Sequence, residues 1–205
     1  ETALTRQVLT APDDVVAKGL LPPKQPAEFH VYCSPHNVDA LELLVEMAMM
    51  HGLAFKVKPP SSDAERAQRY TMSLEETVAK AARRISTPSV QRSRHPLLIT
   101  QDLADLPQSS QALIYLNTQT WTTASSTSFA SDVAAAVDHD AKLLLVHEMS
   151  GVKESVRHAC EFKLFFRCDD GATPPDLLAR GIYNKIAIGL QGGEWRTPSM
   201  AMVLN

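Results

Sequence analysis

The sequence predicts an α/β fold, a doubly wound and mostly parallel sheet of about five strands with helices on both faces. Three observations carry this reading. Short apolar runs alternate along the chain with longer stretches in which apolar residues recur every three or four positions. The short runs, such as LLIT at 97–100 and LLLV at 143–146, are apolar on consecutive residues, which marks strands covered on both faces. The longer stretches are punctuated by capping residues at their starts and glycines at their ends.

Taken in order, residues 1–27 hold Pro22, Pro23 and Pro26 close together and read as a proline-rich linker or arm. Residues 28–35 (EFHVYCSP) place Phe29, Val31 and Cys33 on one side and His30 and Tyr32 on the other, the period of a strand, which Pro35 ends. The next stretch carries Val38, Leu41, Val45, Ala48 and Met49 at helical spacing, with Asn37 as the expected N-cap and Gly52 past the end. A second strand in LAFKVKPP completes a βαβ opening, which implies a parallel pair and a right-handed crossover.

Residues 59–96 form a long Arg/Ser-rich insertion in a domain that otherwise spans 28–205. Within it a helix is expected over 73–85, where Leu74, Val78, Ala81 and Ile85 share a face and Ser73 with Glu76 makes a capping box. The Ser/Arg-rich remainder is expected to be mobile and open to proteolysis near 86–94. Strands follow at 97–100 and 112–117, then a helix from Ser128 with Phe129, Val133 and Val137 on one stripe. The strand at 141–149 is the most apolar and is expected at the sheet's centre. Thr173 as cap, Pro174 at the first helical position and Gly181 as stop predict a short helix. A strand in 182–190, a turn at 191–194 and a helix over 196–204 close the chain.

Composition narrows the function. The chain has 205 residues, with 20 Lys and Arg against 23 Asp and Glu, a net charge of −3. That balance argues against nucleic-acid binding through a broad basic face. No apolar run approaches the roughly 18 residues of a spanning helix, so membrane insertion is not expected. The start at Glu1 reads as a piece of a longer protein. Cys33, Cys160 and Cys168 are sparse and irregularly spaced, which reads as reduced thiols in the cytoplasm, without zinc spacing and without an expected metal. Neither a dinucleotide glycine fingerprint nor a P-loop occurs. His51 and Cys160 invite a Cys/His dyad, but His51 is better read as closing a helix.

Four residues remain as candidates at this level. His147 and Glu148 end the apolar strand, where ligands bind in open α/β sheets, although a hydrogen-bonded structural pair fits there as well. Trp121 follows a strand directly and either lines a site or lids the core. Asp132 lies in the next helix, read here as its first turn, where a carboxylate also suits the helix dipole.

The order of these pieces over 28–205 resembles a TIR domain. EFHVYCSPHN looks like the opening strand and its loop, VDALELLVEMAMMHGLAFKV like the first helix and second strand, and ALIYLNTQTW like the strand that ends before a tryptophan. FASDVAAAV and AKLLLVHE are similar to the following helix and strand. The resemblance implies a flavodoxin-like intracellular signalling and interaction module that associates with itself or with another TIR-like domain. In TIR domains that hydrolyse NAD, that helix carries a Trp-Cys-x-x-Glu motif with a catalytic glutamate. The matching stretch here is Phe129-Ala130-Ser131-Asp132, which puts Asp132 in the catalytic place with a side chain one methylene shorter. The alternative implied is therefore an NAD glycohydrolase, with NAD as substrate and no cofactor required. Tyr32, Ser34, Trp121, Ser131, His147 and Glu148 are then the ligand-binding candidates.

Overall fold

The structure is a computed structural model that describes residues 28–61, 74–83, 96–150, 157–166 and 173–204. Its strands are β1 (Phe29–Tyr32), β2 (Phe55–Lys58), β3 (Leu97–Thr100), β4 (Ser109–Leu116), β5 (Leu143–Glu148) and β6 (Ile188–Leu190). They form one six-stranded sheet in the order β2-β3-β1-β4-β5-β6 with every pairing parallel. The helices are α1 (Ala40–Met50), α2 (74–83), α3 (Ser126–Asp138), α4 (Pro175–Ala179) and α5 (Arg196–Leu204).

Side-chain alternation along β4 divides the core into layers. Leu113 and Tyr115 point into a cluster with α1 and α5, built on Leu44, Met47, Met200 and Val203. Ile114 and Leu116 point into the opposite cluster, with Phe129 and Val133 of α3 and Leu177 of α4. Helices thus cover both faces, and the doubly wound α/β class holds.

Several details differ from the sequence reading. The sheet has six strands rather than about five, and β5 lies second from one edge while β1 and β4 hold the centre. Hydrophobicity misled because β4 is buried nearly as completely through polar as well as apolar residues, Ser110 and Gln111 among them. β2 is at the far edge with β3 between it and β1; the long 59–96 connection gives the chain the dozen or more residues a parallel crossover requires. The strand expected over 182–190 is only three residues long, and α3 begins at Ser126 with Ser125, not Ser128, at the N-cap position.

Asn37 is not the cap of α1, whose N-cap position is Asp39 in the left-handed region at φ 61°. Instead the Asn37 side chain donates from Nδ2 to the Tyr115 carbonyl at 2.9 Å and accepts the Tyr115 N–H at 2.8 Å. β1 turns away after Tyr32 while β4 runs on to Leu116, and the amide satisfies the backbone that β1 leaves behind. Gly52 (φ 64°) and Gly181 (φ 72°) stand just past the ends of α1 and α4, as read from the sequence. In α2, Ala81 is buried and Leu74 and Val78 are half-buried, the expected face. Ser73 of the capping box, Ile85 and the stretch 86–94 lie outside the described residues, as does the arm 1–27.

Candidate functional site

Asp132 meets the end of β1. The hydroxyls of Tyr32 and Ser34 both donate to its Oδ2, at 3.2 and 2.6 Å. No described donor bonds Oδ1. Asp132 is seven residues past the N-cap position of α3, beyond the first turn, and its partners are side chains of another element. The reading of Asp132 as a first-turn carboxylate suited to the helix dipole is therefore corrected.

The loop after β1 is tied down on both sides, which fixes the donors. The His36 N–H donates to Ser34 Oγ at 3.1 Å, Ser125 Oγ donates to the His36 carbonyl at 3.3 Å, and Asn37 grips β4. Burial first, and then the negative charge of Asp132, push the Tyr32 phenol well above its ordinary 10. Tyr32 therefore stays a hydrogen-bond donor throughout the physiological range.

A cleft of about 350 Å³ opens beside this trio at the carboxyl ends of β1, β2 and β3. Tyr32 and Asp132 line it together with Pro35, His36, Ser61, Asp102 and Leu103. Asp102 caps the 3-10 turn that follows β3 by accepting the Ala104 N–H at 3.2 Å, and it also accepts from Ser61 Oγ. The Ser61 hydrogen bond, aided by Ala104 and Lys58, holds its carboxyl below the ordinary 3.8 against the opposing effect of burial. The cleft thus presents two carboxylates, hydroxyls and an imidazole, groups that bind hydroxylated or cationic ligands.

The other candidates lie elsewhere. Trp121 is buried in the α3 layer, stacked on Phe129 with centroids 5.0 Å apart, and its Nε1 donates to Tyr183 Oη at 3.3 Å. It lids the core and forms no wall of the Asp132 cleft. Ser131 neighbours Asp132 in sequence but is exposed and does not line the cleft. His147 is buried edge-on between Phe162 and Phe165, with its Nε2 3.9 Å from Cys160 Sγ. Burial lowers the imidazole below its ordinary 6.5 and raises the Cys160 thiol to about 11, so the pair is neutral and supplies no thiolate nucleophile.

Glu148 belongs to a buried ion network. Arg196 Nη1 bonds both of its oxygens at 2.6 and 2.9 Å, and Tyr115 Oη donates to Oε2 at 2.7 Å. Arg196 also reaches Glu46 at 3.3 Å, and Arg157 bonds Glu46 Oε2 at 2.5 Å. Two carboxylates and two guanidiniums balance, joining α1, β4, β5 and α5. The structural alternative for Glu148 is the one observed. Sequence reasoning missed Glu46, Arg157 and Arg196; the available signal was Glu46 itself, a charge within the apolar run LLVEMAMM.

Among the described residues, no group of three or more His, Cys, Asp or Glu is placed to hold a metal ion, and no helix is long and apolar enough to cross a membrane. No family model matches the chain, and no curated protein or solved structure matches it.

Proposed function

We propose that this chain is a TIR-like signalling module of the cytoplasm, partnered by a second copy or another TIR-like domain, whose Asp132 cleft takes a nicotinamide nucleotide of the NAD type. The observation that carries the reading is the convergence of Tyr32 from the end of β1 with Asp132 from α3 on one cleft at the carboxyl ends of the strands, with the buried Ser34 hydroxyl bonded to Asp132 behind them. Ligands of open α/β sheets bind in that crevice.

Cleavage of the nicotinamide–ribose bond is the second reading, favoured by the Oδ1 of Asp132, which accepts no hydrogen bond among the described residues. A carboxylate a few Å from the ribose stabilises the cationic, oxocarbenium-like state of bond breaking. Two features keep turnover little or none. The side chain is one methylene shorter than glutamate, and the indole of Trp121 is committed to the core rather than to the cleft.

The test is a calorimetric titration with NAD, paired with a nicotinamide-release assay. The parent binds NAD, and Asp132→Ala weakens binding at least about tenfold, the loss of some 1.4 kcal/mol. Asp132→Glu increases nicotinamide release. A parent that does not bind NAD overturns the proposal.

A further inference from the structure

A second cleft, of about 370 Å³, lies between the start of α1 and the insertion helix α2, within the usual range for small-molecule pockets, about 300–1,000 Å³. Its apolar lining comes from both elements: Val38 and Leu41 around the start of α1, and Leu74 of α2, all half-buried. Its charged lining is acidic, with Asp39, Glu42 and Glu76 beside a single ammonium, that of Lys80. Lys80 is shared, bonding Glu42 Oε2 at 2.5 Å and Asp39 Oδ1 at 3.3 Å. Among the described residues Glu76 has no ion pair, and Asp39 has no cation besides the shared one.

Gln101 adds an observation independent of charge. It lines the cleft and is only 6% exposed. Its backbone N–H donates to the Lys58 carbonyl at 2.9 Å, which fixes it just past the end of β3. Among the described residues its side-chain amide makes no hydrogen bond to nitrogen or oxygen and meets only the Cys33 thiol. An amide has two N–H donors and a carbonyl with two lone pairs, and buried polar groups are almost always paired. The bonding capacity that a weak thiol leaves over belongs to a residue on the cleft wall. Lys80 shows the chemistry that the acidic side accepts, an ammonium on an aliphatic stem. A phosphate or carboxylate ligand would instead meet like charge.

We propose that this cleft binds a short aliphatic diamine. One ammonium pairs with Glu76, and the other pairs with Asp39 while the Gln101 carbonyl accepts one of its N–H groups. The methylenes between them pack on Leu41 and Leu74. Two charges are called for because three lining carboxylates share one described cation. The inference is independent of the nucleotide reading of the Asp132 cleft.

Calorimetry at low ionic strength tests it, with 1,4-diaminobutane as the probe and 1-aminobutane as the analogue that lacks one charge. The proteins are the parent, Glu76→Gln, Gln101→Leu and Glu75→Gln, each variant checked for a parent-like circular dichroism spectrum and melt. Glu75 is exposed on the same helix and does not line the cleft, so its variant carries the same change in net charge away from the site. The expected result is that the parent binds the diamine at least about tenfold more tightly than the monoamine. Glu76→Gln weakens the diamine about threefold to fivefold, the effect of one partly exposed ion pair. Gln101→Leu weakens it by at least about as much, and Glu75→Gln leaves it unchanged. A parent that does not bind the diamine, or that binds the monoamine equally well, overturns the inference. So does equal weakening by Glu75→Gln and Glu76→Gln, which marks diffuse attraction to an acidic surface, or an unchanged affinity in folded Gln101→Leu. Where Gln101→Leu does not fold, the monoamine comparison and the two glutamate variants decide.

Discussion

Tyr32 and Ser34 spend their hydroxyls on a single oxygen of Asp132, and this division of labour can be taken apart one atom at a time. Tyr32→Phe keeps the ring packed against Leu106 and Ala112 and removes only the longer bond, so unfolding free energy should fall by about 1 kcal/mol. Urea denaturation measures it; a loss above about 3 kcal/mol would mean that the ring, not the hydroxyl, had been disturbed. Thiol chemistry gives a second residue-scale prediction. Burial pushes Cys33 to about 12 and Cys160 to about 11, both far above the pH of ordinary alkylation. Iodoacetamide at pH 8 should leave both unlabelled in the native protein and label both in urea, as peptide mass mapping reads. Asp132 was singled out from the sequence by the resemblance of its helix to a motif, whereas its place in a cleft follows from the fold alone. Its partners were legible only as neighbours of a strand end, since no local pattern says which hydroxyls a carboxylate 98 or 100 residues away will meet.

Helix α1 shows the same contrast between local pattern and distant partner. Its apolar spacing and Gly52 predicted the helix and its end, yet the role of Asn37 depends on β4, which is 78 residues away. Asn37→Ala leaves both the N–H and the carbonyl of Tyr115 buried without that partner, so stability should fall by about 2–4 kcal/mol. Asn37→Asp, which keeps an acceptor but loses the donor, should fall between the two in chemical denaturation. Glu46 on the same helix gives the pH prediction. Burial raises its carboxyl, but the Arg157 hydrogen bond and the charges of Arg196 and Arg157 outweigh burial and hold it below the ordinary 4.5. A depressed carboxyl contributes stability that is complete above 4.5 and is lost as the pH falls through the lower folded value. Arg157→Met should therefore shift the acid-unfolding midpoint upward, followed by circular dichroism, and should cost about 3–5 kcal/mol near neutrality if the remaining carboxylate stays charged.

For the whole molecule, the class of fold was readable because consecutive apolar runs and helical spacing are local properties of the chain. Strand order was not, because nothing in residues 97–100 states that they pair with both β1 and β2. The hydrophobic strand β5 drew attention to the wrong place for a related reason. Apolar content reports that both faces are covered, whereas position in the sheet is set by where the connections lead. Glu148 and Arg196 looked like strand-end and helix-start residues in isolation, and only the assembled layers make them a buried pair.

The two margins of the sheet bear on how copies of this chain can meet. β2, at one margin, carries Lys56 and Lys58 on its exposed positions, and β6, at the other, offers three residues. An approaching strand would have to crowd its backbone against ammonium groups on one side and would find too short a ladder on the other. Among the described residues, continuous growth from sheet to sheet is thereby discouraged at both margins. Replacing both lysines with threonine would uncover a strand-pairing margin, and light scattering should then register fibrous aggregates that the parent does not form.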